Sequence, residues 1–84
     1  MDYQDYRCLP NALRKHRKAA GLSQQVLAKL IGVDPSWLSR WENGDTLPNL
    51  VSAIHLSILF GVPVNELFGD LVEVIREEVA RGKL

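Results

Sequence analysis

Apolar residues recur along this chain at intervals of three and four, and nowhere in the strict alternation of a half-buried strand. The pattern predicts six helices. The first covers about residues 10–20. Pro10 suits a first-turn position and Gly21 a C-terminal cap, with Leu9, Leu13 and Ala20 inward and the run Arg14-Lys15-His16-Arg17-Lys18 outward. The second starts at Ser23 as N-cap and runs to about residue 30, with Leu27, Ala28 and Ile31 on one side and Gly32 as its break. The third takes Asp34 as N-cap and Pro35 as its first residue, and ends near Asn43-Gly44. Leu38 and Trp41 face inward, while Ser36, Arg40 and Asn43 fall on another face.

The fourth helix follows Asn49 as N-cap and reaches Phe60. It is apolar nearly all round, which predicts burial on more than one side. Leu50, Ala53, Ser57 and Phe60 are assigned to the core, leaving Val51, Ile54 and Ile58 as a second stripe. A short fifth helix spans residues 63–68. The sixth is expected to be capped by Asp70, with Glu73 three residues on in a capping-box arrangement. Its apolar stripe is Leu71, Val74, Ile75 and Val79, and its stop is Gly82. The chain therefore reads as all-α: a flexible segment over residues 1–8, a five-helix domain over 9–68 and an extra C-terminal helix over 69–84.

Charge changes this picture more than composition does. The net charge is zero, but from Arg7 to Gly44 there are seven basic residues and two acidic ones, whereas from Asp45 to Leu84 there are three basic and six acidic. Such asymmetry points to one end facing a polyanion and the other facing solvent or protein. Cys8 is the only cysteine, with no CxxC pair and no nearby histidine, so neither an intramolecular disulfide nor a structural zinc set is available; no cofactor or metal is expected. A reduced thiol near a mobile terminus is the expectation for Cys8. His16 and His55 read as a surface residue and a helix-side residue. No clustered acid–base set and no glycine-rich phosphate loop argue for an enzyme. The first ten residues lack an apolar signal core, and no apolar run approaches the ~18 residues of a membrane span, so the cytoplasm is the expected location.

The informative stretch runs from Ser23 to Gly44. Two short helices meet at a tight turn on Gly32, small Ala28 permits their close approach, and Val33, Leu38 and Trp41 set their angle from inside. This is the physics of a helix-turn-helix, which lays its second helix in the DNA major groove. The chain resembles the Xre/Cro-type helix-turn-helix family, the class of the phage repressors. The resemblance rests on Leu13 and Arg17, Gly21-Leu22-Ser23-Gln24, Leu27-Ala28, Gly32-Val33, Ser39-Arg40-Trp41-Glu42-Asn43-Gly44, Pro48, Gly61-Val62 and Glu66-Leu67-Phe68, and covers roughly residues 9–68.

The resemblance implies a five-helix, phage-repressor-like domain and a role for each matching residue. Gln24 reaches a phosphate and braces the recognition helix; its amide has donors and an acceptor for both. Pro35, Ser36 and Arg40 occupy base-facing positions, Asn43 approaches the phosphate, and Arg17 with Glu42 forms a structural ion pair between the first and third helices. Arg40 can contact guanine O6 and N7 in bidentate fashion, or serve a phosphate instead. Ser36 is a weaker specifier, and Pro35 offers only an apolar contact to a thymine methyl. Trp37 either covers a sugar-phosphate edge or thymine methyl, or packs against the body of the domain. Ser39 is a phosphate donor or a solvated residue. The loop Gly44-Asp45-Thr46 carries an aspartate where a basic residue would help; Arg14, Lys18 and Lys29 are the compensating candidates.

With phosphate contacts this sparse, two copies are expected to act together, recognition helices ~34 Å apart on double-stranded DNA. Val51, Ile54, Ile58, Leu71 and Ile75 are the expected homodimer surface, with a tail folded back over the fourth helix, or a partner protein, as the other uses of that surface. The reading is a homodimeric transcriptional regulator, a repressor, on a pseudo-palindromic operator. The alternative on the same fold is an antitoxin or protein-interaction adaptor.

Overall fold

The computed structural model describes residue 6 and residues 8–82. Of the segment 1–8 expected to be flexible, only Tyr6 and Cys8 fall among them; Arg7, counted above in the basic half, and Lys83 lie outside the described residues. Among the described residues there are six helices and no strand: α1 (Leu13–Ala19), α2 (Gln24–Ile31), α3 (Pro35–Asn43), α4 (Leu50–Phe60), α5 (Val64–Leu67) and α6 (Gly69–Ala80).

Local chemistry explains where most of them start and stop. Ser23, Asp34 and Asn49 stand in extended backbone ahead of α2, α3 and α4. Their side-chain oxygens accept the N–H groups of Val26, Ser36 and Ser52 at 3.1, 2.9 and 2.8 Å. The first four helices end alike. The N–H groups of Leu22, Val33, Asp45 and Val62 each reach back five residues, to the carbonyls of Arg17, Ala28, Arg40 and Ser57. Leu22, Val33 and Val62 then pack against the core. At the turn between α2 and α3, Gly32 has φ of +76°, a left-handed geometry that a side chain resists.

The core is built from Leu13, Leu27, Ala28, Ile31, Leu38, Trp41, Leu56, Leu67 and Phe68. Ala28 is fully buried where α2 packs on α3. Four expectations change. First, α1 begins at Leu13 rather than Pro10, because the preceding backbone is committed elsewhere. Ala12 N–H donates to the Leu67 carbonyl at 2.8 Å, and the Asn11 carboxamide accepts from Leu13 N–H at 2.9 Å. Ala20 is exposed, and Arg17 is buried in its place.

Second, α4 is not buried on two sides. It buries Ser52 and Leu56; Leu50, assigned to the core, is 74% exposed, and Ala53, Ser57 and Phe60 are half-buried. Third, Asp70 does not cap α6. The helix starts at Gly69, directly after Phe68, so Asp70 lies in its first turn and Glu73 pairs with Arg76 at 3.3 Å instead. Val79 is exposed, while Glu78 is buried and accepts a 2.7 Å hydrogen bond from the Tyr6 hydroxyl. Fourth, His16 is half-buried, 3.1 Å from the Glu66 carboxylate and beside the Phe60 ring.

Candidate nucleic-acid interface

At about 100° per residue, the inward positions of α3, Leu38, Trp41 and Glu42, leave Ser36, Arg40 and Asn43 within roughly 60° of one another on the opposite side. All three are exposed. Pro35 and Ser39 flank this stripe on one edge and are half-buried; Trp37 flanks it on the other and is 44% exposed. Asp34, which caps the helix, has its carboxylate held below its ordinary range by hydrogen bonds from Ser36.

The stripe is aimed by a carboxylate on the helix's inner side. The Glu42 side chain has no solvent exposure. Arg17 on α1 donates to it through Nε at 2.6 Å and Nη2 at 3.2 Å, and also donates to the Leu22 carbonyl at 2.9 Å. Arg14 Nε and Gln24 Nε2 each donate to Glu42 Oε1 at 3.1 Å. Burial pushes the Glu42 carboxyl up, but the hydrogen bonds from Arg17, Gln24 and Arg14 and the Arg17 charge outweigh it, so its pKa lies below the ordinary value. The hydrogen bond to Glu42 raises that of Arg17. One carboxylate thus ties α1 and the start of α2 to the end of α3, with charge-assisted bonds from three side chains.

Two further bonds fix the C-terminal end of α3. Asn11 Nδ2 donates to the Trp41 carbonyl at 2.9 Å, and Arg14 Nη2 donates to Asn43 Oδ1 at 2.7 Å. Neither Arg14 nor Asn11 stood out in the sequence as part of this cluster; the one available hint was Arg14 lying three residues before Arg17, on the same helical side. The N-terminal segment closes on the same point. Cys8, exposed and at φ of +66°, donates its N–H to the Gly44 carbonyl at 2.6 Å. Gly44 itself has φ of +79°, and a Cβ there would stand 3.1 Å from the Leu9 carbonyl oxygen and 3.2 Å from Cys8 Cα.

Within the stripe, Arg40 places its guanidinium over the ring of flanking Trp37, Cζ 5.1 Å from the ring centroid. Trp37 also borders a cleft of about 420 Å³ with Val33, Trp41, Leu47, Asn49 and Ser52. On α4, Val51, Ile54 and Ile58 are 65%, 45% and 75% exposed. Leu71 and Ile75 are half-buried; Leu71 packs on the chain's own core, and both line an apolar groove of about 220 Å³ with Ala53, Val64 and Phe68. Among the described residues, no cluster of His, Cys, Asp or Glu could hold a metal ion, and no helix is long and apolar enough to cross a membrane.

Comparison with known proteins adds three findings. A profile described as helix-turn-helix matches residues 13–67, from the start of α1 to the end of α5. The chain is 31% identical over 65 residues to the ImmF control region 10 kDa protein of Bacillus phage phi105, across 77% of this chain and 72% of that protein. In structure it is similar to the restriction-modification controller protein C.AhdI from Aeromonas hydrophila, with a TM-score of 0.60 and 39% identity over 67% of this chain and 85% of that one.

Proposed function

The chain belongs to the helix-turn-helix family of DNA-binding regulators, and from that premise we propose that it is a sequence-specific transcriptional repressor that occupies a pseudo-palindromic operator as a homodimer. The observation that carries this reading is the exposed stripe of Ser36, Arg40 and Asn43 on a helix locked in orientation by the buried Glu42 cluster. In this reading α3 lies in the major groove. Arg40 reads a guanine edge, while Ser36 and Pro35 make the lesser base contacts. Gln24, Ser39 and Asn43 serve the flanking phosphates, and contacts of that kind fix register without reading sequence. Arg14, already hydrogen-bonded to Asn43 and half exposed, adds a positive charge at the same end.

The homodimer is supported by the apolar surface that α4 leaves in solvent. By helical spacing Val51, Ile54 and Ile58 share the side of α4 opposite buried Ser52 and Leu56, and Ala53 of the same helix lines the groove with Leu71 and Ile75. A contiguous apolar patch of this kind marks an interaction surface. Repression follows from occupancy, since two copies spanning ~34 Å of duplex block polymerase.

The test is selection from a randomised duplex pool at ~100 mM salt, where phosphate attraction alone is weakened. The expected result is a two-fold symmetric motif that loses one guanine per half-site in Arg40→Ala. A pool with no enriched motif contradicts the reading and assigns the apolar face of α4 to a protein partner, as in an antitoxin or adaptor.

A further inference from the structure

The recognition helix carries two tryptophans, and only one of them is explained by the core. Trp41 is 4% exposed and packs among Leu38 and its neighbours; Trp37 is 44% exposed on the outer flank of α3. We propose that Trp37 is a positioning residue for Arg40, its indole face being the platform that holds the guanidinium in the plane from which it reads a guanine. This rests on the DNA-reading function proposed above and adds a specificity-determining residue to it.

The geometry fits that role in three ways. Residues three apart on a helix are neighbours, and Arg40 Cζ stands 5.1 Å from the Trp37 ring centroid, within cation–π range. Stacking engages the face of the guanidinium only. A guanidinium stacked face-on keeps its N–H donors in its own plane and away from the ring, so the fork needed for O6 and N7 of guanine stays available. Finally, no carboxylate competes with the indole for the guanidinium, since among the described residues Arg40 makes no ion pair. The indole in turn borders the cleft with Val33, Trp41 and Leu47. An arginine otherwise free to rotate is thereby ordered before it meets DNA, which lowers the entropy lost on binding.

The test compares wild type, Trp37→Phe, Trp37→Leu, Arg40→Ala and the Trp37→Leu/Arg40→Ala double variant in competition titrations on the selected site and on duplexes with that guanine replaced. Arg40→Ala is expected to reduce discrimination at the guanine roughly 5- to 150-fold. Trp37→Leu, which keeps apolar bulk but lacks a π-face, is expected to reduce it about 2- to 5-fold at the same position and to leave other positions unchanged. Trp37→Phe retains most of it. In the Arg40→Ala background, Trp37→Leu produces no further loss there. A loss at a different position, or an undiminished effect in the Arg40→Ala background, overturns the proposal while leaving the DNA-reading function intact. A wild-type protein that enriches no motif overturns both.

A second measurement needs no DNA. In the proton NMR spectrum of the free wild-type protein, the Arg40 side-chain signals are expected upfield of their ordinary positions because of the indole ring current, and they remain shifted in Trp37→Phe. Ordinary positions in the wild type overturn the proposal even where Trp37→Leu does not fold.

Discussion

The half of the chain built from α1–α3 and the half built from α4–α6 are finished differently. In the first, a fully buried carboxylate collects Arg17, Arg14 and Gln24, and the C-terminal end of α3 is tied by Asn11 and Cys8. Its charge balance is basic, and its exposed large apolar side chains are Val26, Leu30 and Trp37. In the second, Leu50, Val51, Ile54 and Ile58 remain in solvent, and the charge balance is acidic. Directional hydrogen bonds fix the angle of α3, and with it the direction in which Arg40 and Ser36 project, whereas apolar contact is less particular about angle and suits a face that meets another surface. On the proposed function, the difference assigns reading to one half and pairing to the other.

The comparison breaks most severely at Glu42. Glu42→Ala leaves Arg17, whose side chain is only 10% exposed, without its counter-charge, and is expected to cost about 3–5 kcal/mol in urea or thermal unfolding. Arg14→Ala removes a half-exposed partner of the same carboxylate and should cost no more than ~1 kcal/mol. Equal losses would mean that Glu42 does not organise the first half through Arg17.

In the second half, Ile58→Glu tests the pairing face. With Ile58 75% exposed, the substitution should leave the fold in place, yields a single-chain mass by sedimentation, and weakens operator binding by about 10²–10⁴-fold through lost bivalency. A dimer that survives Ile58→Glu moves the interface elsewhere.

Gly44→Ala sharpens the comparison at the junction of α3 with the N-terminal segment. It combines a left-handed φ with the close approach of Leu9 and Cys8, and is expected to cost about 1–3 kcal/mol. Gly21→Ala has the same strained φ but open space, and should cost less; a matching loss would show that the N-terminal segment does not rest on Gly44.

The smallest effect is that of pH. Because the Glu42 pKa is lowered on folding, its contribution is fully present above the unfolded-state value of about 4.3 and is lost as pH falls through the lowered folded value. Exposed Asp34 titrates in the same direction, so the difference between wild type and Glu42→Gln isolates the Glu42 share: the gap between their unfolding midpoints narrows toward acid.

Much of this molecule was legible in its sequence because the relevant signals are local. Asp34-Pro35 and Asn49 mark the starts of α3 and α4, and Gly32 and Gly44 mark where α2 and α3 give way to left-handed backbone. The misplacements share a cause, which is competition from tertiary structure. Pro10 has the residue type of a first helical position, but the Ala12 N–H is bonded to Leu67, 55 positions away, and α1 starts after it. Asp70 has the residue type of a cap, but α6 follows α5 without a linker, so the cap position falls on Phe68. The inward face of α4 was read only in part from periodicity, since apolar residues surround the helix: Val51, Ile54 and Ile58 face out and Phe60 packs on the core as expected, but small Ser52, not Leu50, faces in. At the site, Glu42 and Arg17 came from a family resemblance. Asn11 and the link from Tyr6 to Glu78 join residues 30 and 72 apart, and no spacing rule reaches that far.

On the proposed function, α3 reads DNA in two copies held by the α4 side of the chain. The most direct measurement is the mass of the complex with the duplex recovered by selection, taken by sedimentation in a titration carried past saturation. Two chains per duplex, on half-sites about 10–10.5 base pairs apart centre to centre, is the predicted result. One chain per duplex at saturation, with a motif that lacks two-fold symmetry, would contradict it.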